Sequence, residues 1–349
     1  MRSRFAVLRR VIVLLVLPAL VFQVPVAGEA QRANRRLLAA YQGLGAWVDV
    51  YDPTVWRHAA DAVREMAAHG VQTLFLETSS WRISDDVFRP KTVNVFITEA
   101  HRRGMRVVAW YVPDFYDLKR DFRRSMAAIR FRTPDGQRFD SFALDIESFR
   151  VRDIANRSAR LLQLSARIRK AVGRDYPLGA IVISPVATHR VPSGWPGFPY
   201  RALARYYDVF LPMGYYSYRT DGATAAFNYT RDTLQLLRKD TRNQKLPIHA
   251  IGGEAEFTDG PEAKAFVDAV KRFDAIGGSL YDFDTSGPED WRHVEKLRVK
   301  RRPRPRSTQA TQPAPTSPRV VPRFFLRVLV VYSLTDVVLW TIPPSGARK

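Results

Sequence analysis

The chain has 349 residues, room for one large domain plus tails. It has no cysteine and only six scattered histidines, which excludes disulfides and thiolate metal sites and argues against a histidine metal cluster, so neither metal nor cofactor is expected. The net charge of +21 sits mostly at the ends. Residues 1–36 carry seven arginines against Glu29, residues 298–349 carry eleven Lys and Arg against Asp336, and residues 37–297 keep only +5. Nucleic acid is therefore not expected as a ligand of the central part, whereas the basic ends suit membrane flanks and anionic surfaces.

In chain order, Arg2, Arg4, Arg9 and Arg10 precede an apolar run from Val11 to Ala27, followed by small residues at Gly28 and Ala30. This layout predicts a signal peptide or signal anchor over 1–30 and export of the domain behind it, secreted or membrane-tethered. Strand and helix signals then alternate. Strands are predicted at Gly45–Asp52, Val71–Thr78, Arg106–Val112, Phe142–Ser148, Leu178–Ser184, Val209–Tyr216, Pro247–Gly253 and Gly278–Asp284. Helices are predicted at Trp56–Ala68, Val93–Arg103, Asp121–Arg130, Ile154–Val172, Tyr200–Arg205, Asp232–Arg238, Pro261–Phe273 and Pro288–Leu297. Residues 300–323, rich in Pro and Arg, read as a disordered linker. The apolar segment 324–342, interrupted by Arg327 and Asp336, reads as a transmembrane or surface helix. A monomer is the default expectation.

Eight apolar strands alternating with helices predict a (β/α)8 TIM barrel over 37–299. An open doubly wound sheet usually carries a Gly-rich turn after its first strand, and Tyr51-Asp52-Pro53-Thr54 is nothing like one. In such barrels the active site is built at the C-terminal strand ends. There the sequence concentrates acids and aromatics: Asp49, Tyr51 and Asp52; Glu77 and Trp81; Trp110, Tyr111 and Asp114; Met213, Tyr215, Tyr216 and Tyr218; Glu254; Asp282 and Asp284. Acids for proton transfer and flat rings for stacking suit a sugar-binding cleft. Few basic residues occupy these positions, which disfavours phosphorylated substrates.

The most informative segment is Phe139-Asp-Ser-Phe-Ala-Leu-Asp-Ile-Glu147. Asp145 and Glu147 stand two apart on a strand and so project to the same face. Like charges this close cannot both ionise cheaply, and a carboxylic acid held protonated near neutral pH is what a glycosidase needs to protonate a leaving group. Pairing of both acids with arginines is the competing, purely structural expectation. Glu147 as acid with Glu254 as protein nucleophile is a second catalytic arrangement. A metal-dependent deacetylase would need an Asp-His-His grouping, which His249 in the seventh strand lacks.

This segment resembles the fourth-strand signature of glycoside hydrolase family 18, the chitinase family, roughly Phe-Asp-Gly-x-Asp-x-Asp-x-Glu. Phe139, Asp140, Asp145 and Glu147 match in register, while Ser141 stands for its glycine and Ala143 for its middle aspartate. Met213-Gly214-Tyr215-Tyr216 resembles the family's sixth-strand Met-x-Tyr-Asp, with Tyr216 replacing the aspartate. The eighth-strand tryptophan has no clear match, although Tyr281 lies nearby. The central part is also similar to uncharacterised glycosyl-hydrolase-like barrels of exported bacterial proteins. The resemblance implies Glu147 as general acid, Asp145 orienting a substrate N-acetyl group whose oxygen is the nucleophile, and Tyr215 donating a hydrogen bond to that group. It implies a polysaccharide or cell-wall glycan partner, and position at the strand ends makes Asp49, Glu77, Trp81, Trp110, Tyr111, Met213, Tyr216, Asp282 and Asp284 the expected lining of the cleft. Loss of two signature acids leaves a catalytically inactive glycan-binding barrel as the alternative.

Overall fold

The computed structural model describes residues 38–191 and 194–300. The segments expected to be a signal, a linker and an apolar tail lie outside these residues, apart from Lys300. Among the described residues no helix is long and apolar enough to cross a membrane.

Eight strands form one closed, fully parallel barrel in sequence order: β1 (Gly43–Val48), β2 (Thr73–Ser80), β3 (Arg106–Val112), β4 (Ser141–Ile146), β5 (Leu178–Ile183), β6 (Val209–Met213), β7 (His249–Glu254) and β8 (Gly277–Tyr281). Closure is made by β1 on β8, with Gly43 opposite Gly277 and Leu44 opposite Gly278. Around it run α1 (Pro53–Arg57), α2 (Ala59–Ala68), α3 (Pro90–Arg102), α4 (Leu118–Arg130), α5 (Ile154–Val172), α6 (Pro185–Arg190), α7 (Tyr200–Leu203), α8 (Ala223–Thr241), α9 (Gly260–Arg272) and α10 (Pro288–Val294). The expected TIM barrel is thus observed.

Strand parity explains the two cores. Trp47, Phe75, Val108, Trp110, Ala143, Ile181, Val209, Leu211 and Ile251 pack together inside the barrel. Their chain neighbours, among them Ala46, Leu74, Leu76, Val107, Ala109, Leu144 and Val182, face the helices. The lower interior is sealed by Tyr41, whose hydroxyl lies 2.5 Å from Ser141 Oγ and donates to the Phe142 carbonyl. Above it Trp47 stacks on Phe75 at 4.3 Å between centroids and donates from Nε1 to Ser279 Oγ at 2.7 Å. His249 completes this layer, with Nδ1 2.8 Å from the Tyr41 carbonyl and Nε2 3.1 Å from Ser279 Oγ. Its ring nitrogens are committed to the barrel interior, which accounts for a histidine inside a strand.

Two strands and one helix depart most clearly from their predicted bounds. The sixth strand stops at Met213 rather than Tyr216. A Cβ on Gly214 would lie 2.5 Å from the Ile251 carbonyl oxygen, and Tyr215 adopts a left-handed φ of 43° that ends the extended run. The first strand begins and ends earlier than expected because Gly43 and Leu44 pair with β8. The α8 helix is far longer than Asp232–Arg238, since its first half, Ala223 onward, buries Ala226, Tyr229 and Thr230, a helical spacing carried by small or hydroxyl-bearing residues that read weakly as apolar.

Gly277 is the tightest point of closure. A Cβ there would meet His249 Nδ1 at 2.5 Å and the carbonyl oxygens of Gly43 and Tyr41 at 2.6 Å. Gly277→Ala should therefore cost about 2 kcal/mol or more of unfolding free energy, read from urea titration. An unchanged midpoint would show that the seam relaxes freely.

Candidate active site at the C-terminal strand ends

Three carboxylates converge from alternate strands. Glu77 stands near the end of β2, Asp145 is the next to last residue of β4, and Glu147 follows β4 by one residue. Asp145 is buried on the inner face above Ala143, and its Oδ1 has no protein hydrogen-bond partner. Burial, then repulsion from Glu147 and Glu77, holds its carboxyl well above the usual range. Glu77 is 1% exposed; its Oε2 accepts from the Val50 amide at 2.9 Å, and its Oε1 is unpaired. Burial and Asp49 push Glu77 strongly upward too. Glu147 is the exposed member. Protein on its flanks raises its pKa, against the pull of Arg82. Burial and mutual repulsion thus favour the protonated forms of Glu77 and Asp145 beneath an accessible Glu147.

A second carboxylate group lies beside the first. Oxygens of Asp49, Asp52 and Asp282 fall within 4.8 Å of one another. Asp49 accepts from the Tyr281 hydroxyl at 2.8 Å and the Tyr51 amide at 2.6 Å. Asp282 accepts from Thr285 through both hydroxyl and amide. Burial, then Asp49, Asp282 and Asp284, push Asp52 up to about 9, and burial with Asp49 pushes Asp282 up to about 6. Asp49, Asp52 and Asp282 are the one set of described residues spaced to ligate a cation. Glu254, the last residue of β7, accepts a hydrogen bond from the Tyr218 hydroxyl; burial raises its pKa, Tyr218 lowers it, and Asp282 is the acid that repels it most.

Aromatic rings form the floor and rim. Trp110 meets Trp47 edge-on at 5.8 Å, and its buried Nε1 lacks a protein acceptor. Tyr281 lies 6.2 Å from Trp47 and 5.8 Å from Tyr215, in the region where the resemblance left a tryptophan unmatched. Burial, Asp145, Glu147 and Glu254 in that order raise the Tyr215 phenol, which therefore sits within electrostatic reach of all three acids. Met213 packs in the inner core below Tyr215. Among the described residues every exposed large aromatic, namely Tyr51, Tyr116, Tyr218 and Phe257, lies in a loop following a strand. Tyr218 and Phe257 pack on each other at 5.4 Å.

Several expected residues lie elsewhere. Tyr111 faces the helices, where its hydroxyl donates to Asp121 at 2.7 Å; next to inward-facing Trp110 it has the opposite parity. Tyr216 is fully buried on the outer side, 6.0 Å from Phe266 of α9. Asp114 holds the loop before α4 through the Tyr116 amide and Arg120. Asp140 and Phe139 serve the opposite end of β4, Asp140 pairing with Arg106 and His101. Asp284 is exposed at the rim. Trp81 is half-buried against the inner core, but guanidiniums cover it: the Cζ atoms of Arg82 and Arg150 each lie 4.6 Å from its ring centroid. The expectation of few basic residues here is corrected by these two, which follow β2 and β4 in irregular loops and so have no periodic signal. Tyr116 and Phe257 were also missed, although each follows a strand closely enough for proximity to flag it.

No known family profile and no curated protein matches the sequence. Solved structures do match the barrel. The spore cortex-lytic enzyme SleL of Bacillus cereus superposes with a TM-score of 0.54 at 9% identity, over 74% of each chain. The endo-beta-1,4-mannanase of Thermotoga petrophila gives 0.57 at 8%, over 75% of this chain and 77% of its own. A chitinase of Chromobacterium violaceum gives 0.52 at 14%, over 74% of this chain and 100% of its own. The fold they share with this chain is the (β/α)8 TIM barrel. At such identities the likeness is one of fold, shared with glycoside hydrolases.

Asp52 gives the site a pH signature. With an ordinary carboxyl value of 3.8 when unfolded and about 9 when folded, it keeps its proton in the folded chain while losing it in the unfolded chain across that window, so stability falls as pH rises through it. Asp52→Asn mimics the protonated acid. Calorimetry should find it melting above the parent at pH 8 and near it at pH 4; an equal fall in both proteins would place the pH dependence elsewhere.

Proposed function

We propose that this barrel is a glycoside hydrolase acting on a polysaccharide, with Glu147 as its general acid. The observation that carries the reading is the accessible Glu147 beside a buried, electrostatically strained Asp145 at the C-terminal mouth. The rim of exposed aromatics supports a glycan as the ligand, since sugar rings stack on such surfaces. The shared fold with chitinases, a mannanase and a cortex-lytic enzyme supports the same reaction class.

In this reading Glu147 gives its proton to the glycosidic oxygen as the bond from that oxygen to C1 breaks. The oxygen of a substrate N-acetyl group closes on C1, held by Asp145 and Tyr215. Water then attacks C1 as the bond from C1 to the acetyl oxygen breaks, its electron pair returning to the N-acetyl group, and the water yields its proton to Glu147, restoring the acid. Glu77 takes the part of proton-sharing neighbour to Asp145 that Ala143 cannot, reaching in from β2 rather than from the same strand. Glu254 is engaged by the Tyr218 hydroxyl, and Asp282 is the acid that repels it most, so a Glu254 nucleophile remains the arrangement to test against this one.

The test is release of new reducing ends from N-acetylated and neutral polysaccharides. Glu147→Gln should lower release by about 10²–10⁴-fold while leaving polymer binding intact. Glu254→Gln should stay within a few-fold of the parent; a loss equal to that of Glu147→Gln would instead establish the two-carboxylate mechanism. No release from any polymer, with binding equal in parent and Glu147→Gln, would make the barrel a glycan-binding module.

A further inference from the structure

We propose that Arg82 and Arg150, packed on Trp81 beside Glu147, form a subsite for a carboxylate, so that the glycan taken by this barrel is an acidic one. This inference rests on the glycan reading above and narrows its substrate class.

The two guanidiniums come from different loops, after β2 and after β4, and converge on one ring. Trp81 is fixed as their support. Its amide donates to the Val112 carbonyl at 2.9 Å, and its indole is half-buried against the barrel's inner core. Both arginines are exposed. Neither makes a salt bridge or a side-chain hydrogen bond to protein among the described residues, although Glu77, Asp145 and Glu147 stand nearby. Three arginines of the neighbouring helix α4 are engaged by contrast: Arg120 holds Asp114, Arg123 holds Asp86, and Arg124 donates to the Ser80 and Ser84 carbonyls. Arg157 provides the structural contrast. It too stacks on aromatic rings, Phe149 and Trp195, but it is buried and donates to the Gly194 carbonyl.

A guanidinium lying on an indole has its face occupied and its N–H edges free in the plane. Those edges match a planar carboxylate, which they can hold through two parallel hydrogen bonds. A neutral sugar offers these arginines only hydroxyl acceptors, weaker than a carboxylate, and would stack better on a bare indole. A dianionic phosphate fits less well, because the acids at β2 and β4 would repel its second charge. The positions therefore suit a singly charged, planar substituent on a sugar next to the bond at Glu147, as in a uronic acid or a lactyl ether.

The experiment measures binding in the full chain carrying Glu147→Gln, so that turnover does not enter. The probes are hyaluronan, polygalacturonate and muramic-acid-containing glycan strands, each beside its carboxyl-reduced form, with dextran sulfate as a general polyanion. At least one carboxylated probe should bind about tenfold or more tightly than its reduced form. Arg82→Gln and Arg150→Gln should each cut that preference, and Arg82→Lys should not restore it, since a lysine keeps the charge without the fork. Equal binding of every carboxylated and reduced pair would overturn the proposal. So would a preference that survives both Gln substitutions, or one matched by dextran sulfate. Failure of the hydrolase reading shows separately, as absent reducing ends from the parent protein, and leaves the carboxylate preference readable.

Discussion

The structure depends on how the inside of an eight-strand barrel is filled. A closed barrel of this size leaves a space that side chains must occupy, and every polar atom placed there must find a partner or remain costly. The lower half meets that demand. Tyr41 bonds Ser141 and the Phe142 carbonyl, and Trp47, Ser279 and His249 bond one another or a backbone carbonyl. The upper half does not. Glu77 Oε1, Asp145 Oδ1 and Trp110 Nε1 are buried on the same inner surface without protein partners. The same architecture is thus satisfied at one end and left open at the other, and the chemistry concentrates at the open end.

Glycine makes the satisfied end possible. Gly45, Gly179 and Gly277 stand where Phe75, Tyr41 and His249 press against the strands, each leaving less than 3 Å to a would-be Cβ. Large rings and absent side chains are two halves of one packing solution. It needs volume and parity rather than particular residues. That is why the barrel superposes on enzymes with which it shares 8–14% of its residues.

The strands were legible because burial on both faces writes continuous apolar runs, and the alternation with helices gave the barrel. The acid pair was legible because a two-residue spacing fixes a common face. Parity also shows where the reading went astray. Trp110 and Tyr111 cannot both face inward, yet both were assigned to the cleft, and Tyr111 went to Asp121. Tyr216 was counted with the sixth strand until the left-handed Tyr215 turned the chain away. Glu77 was seen as lining but not as the neighbour of Asp145, since two strands separated by a third meet only across the closed interior. Arg82 and Arg150 lie in loops, where no period marks what converges.

The carboxylates and the exposed arginines are attached to different kinds of backbone. Glu77 and Asp145 are rungs of the wall that encloses the plug, so neither can change without refilling the interior around it. Arg82 and Arg150 ride on connections that contribute nothing to closure. On the proposed function, a lineage carrying this barrel could change the polymer it admits by drift in two surface turns while leaving the buried acids unaltered. The same division tells an engineer where a diversified library keeps its folded fraction and where it loses it.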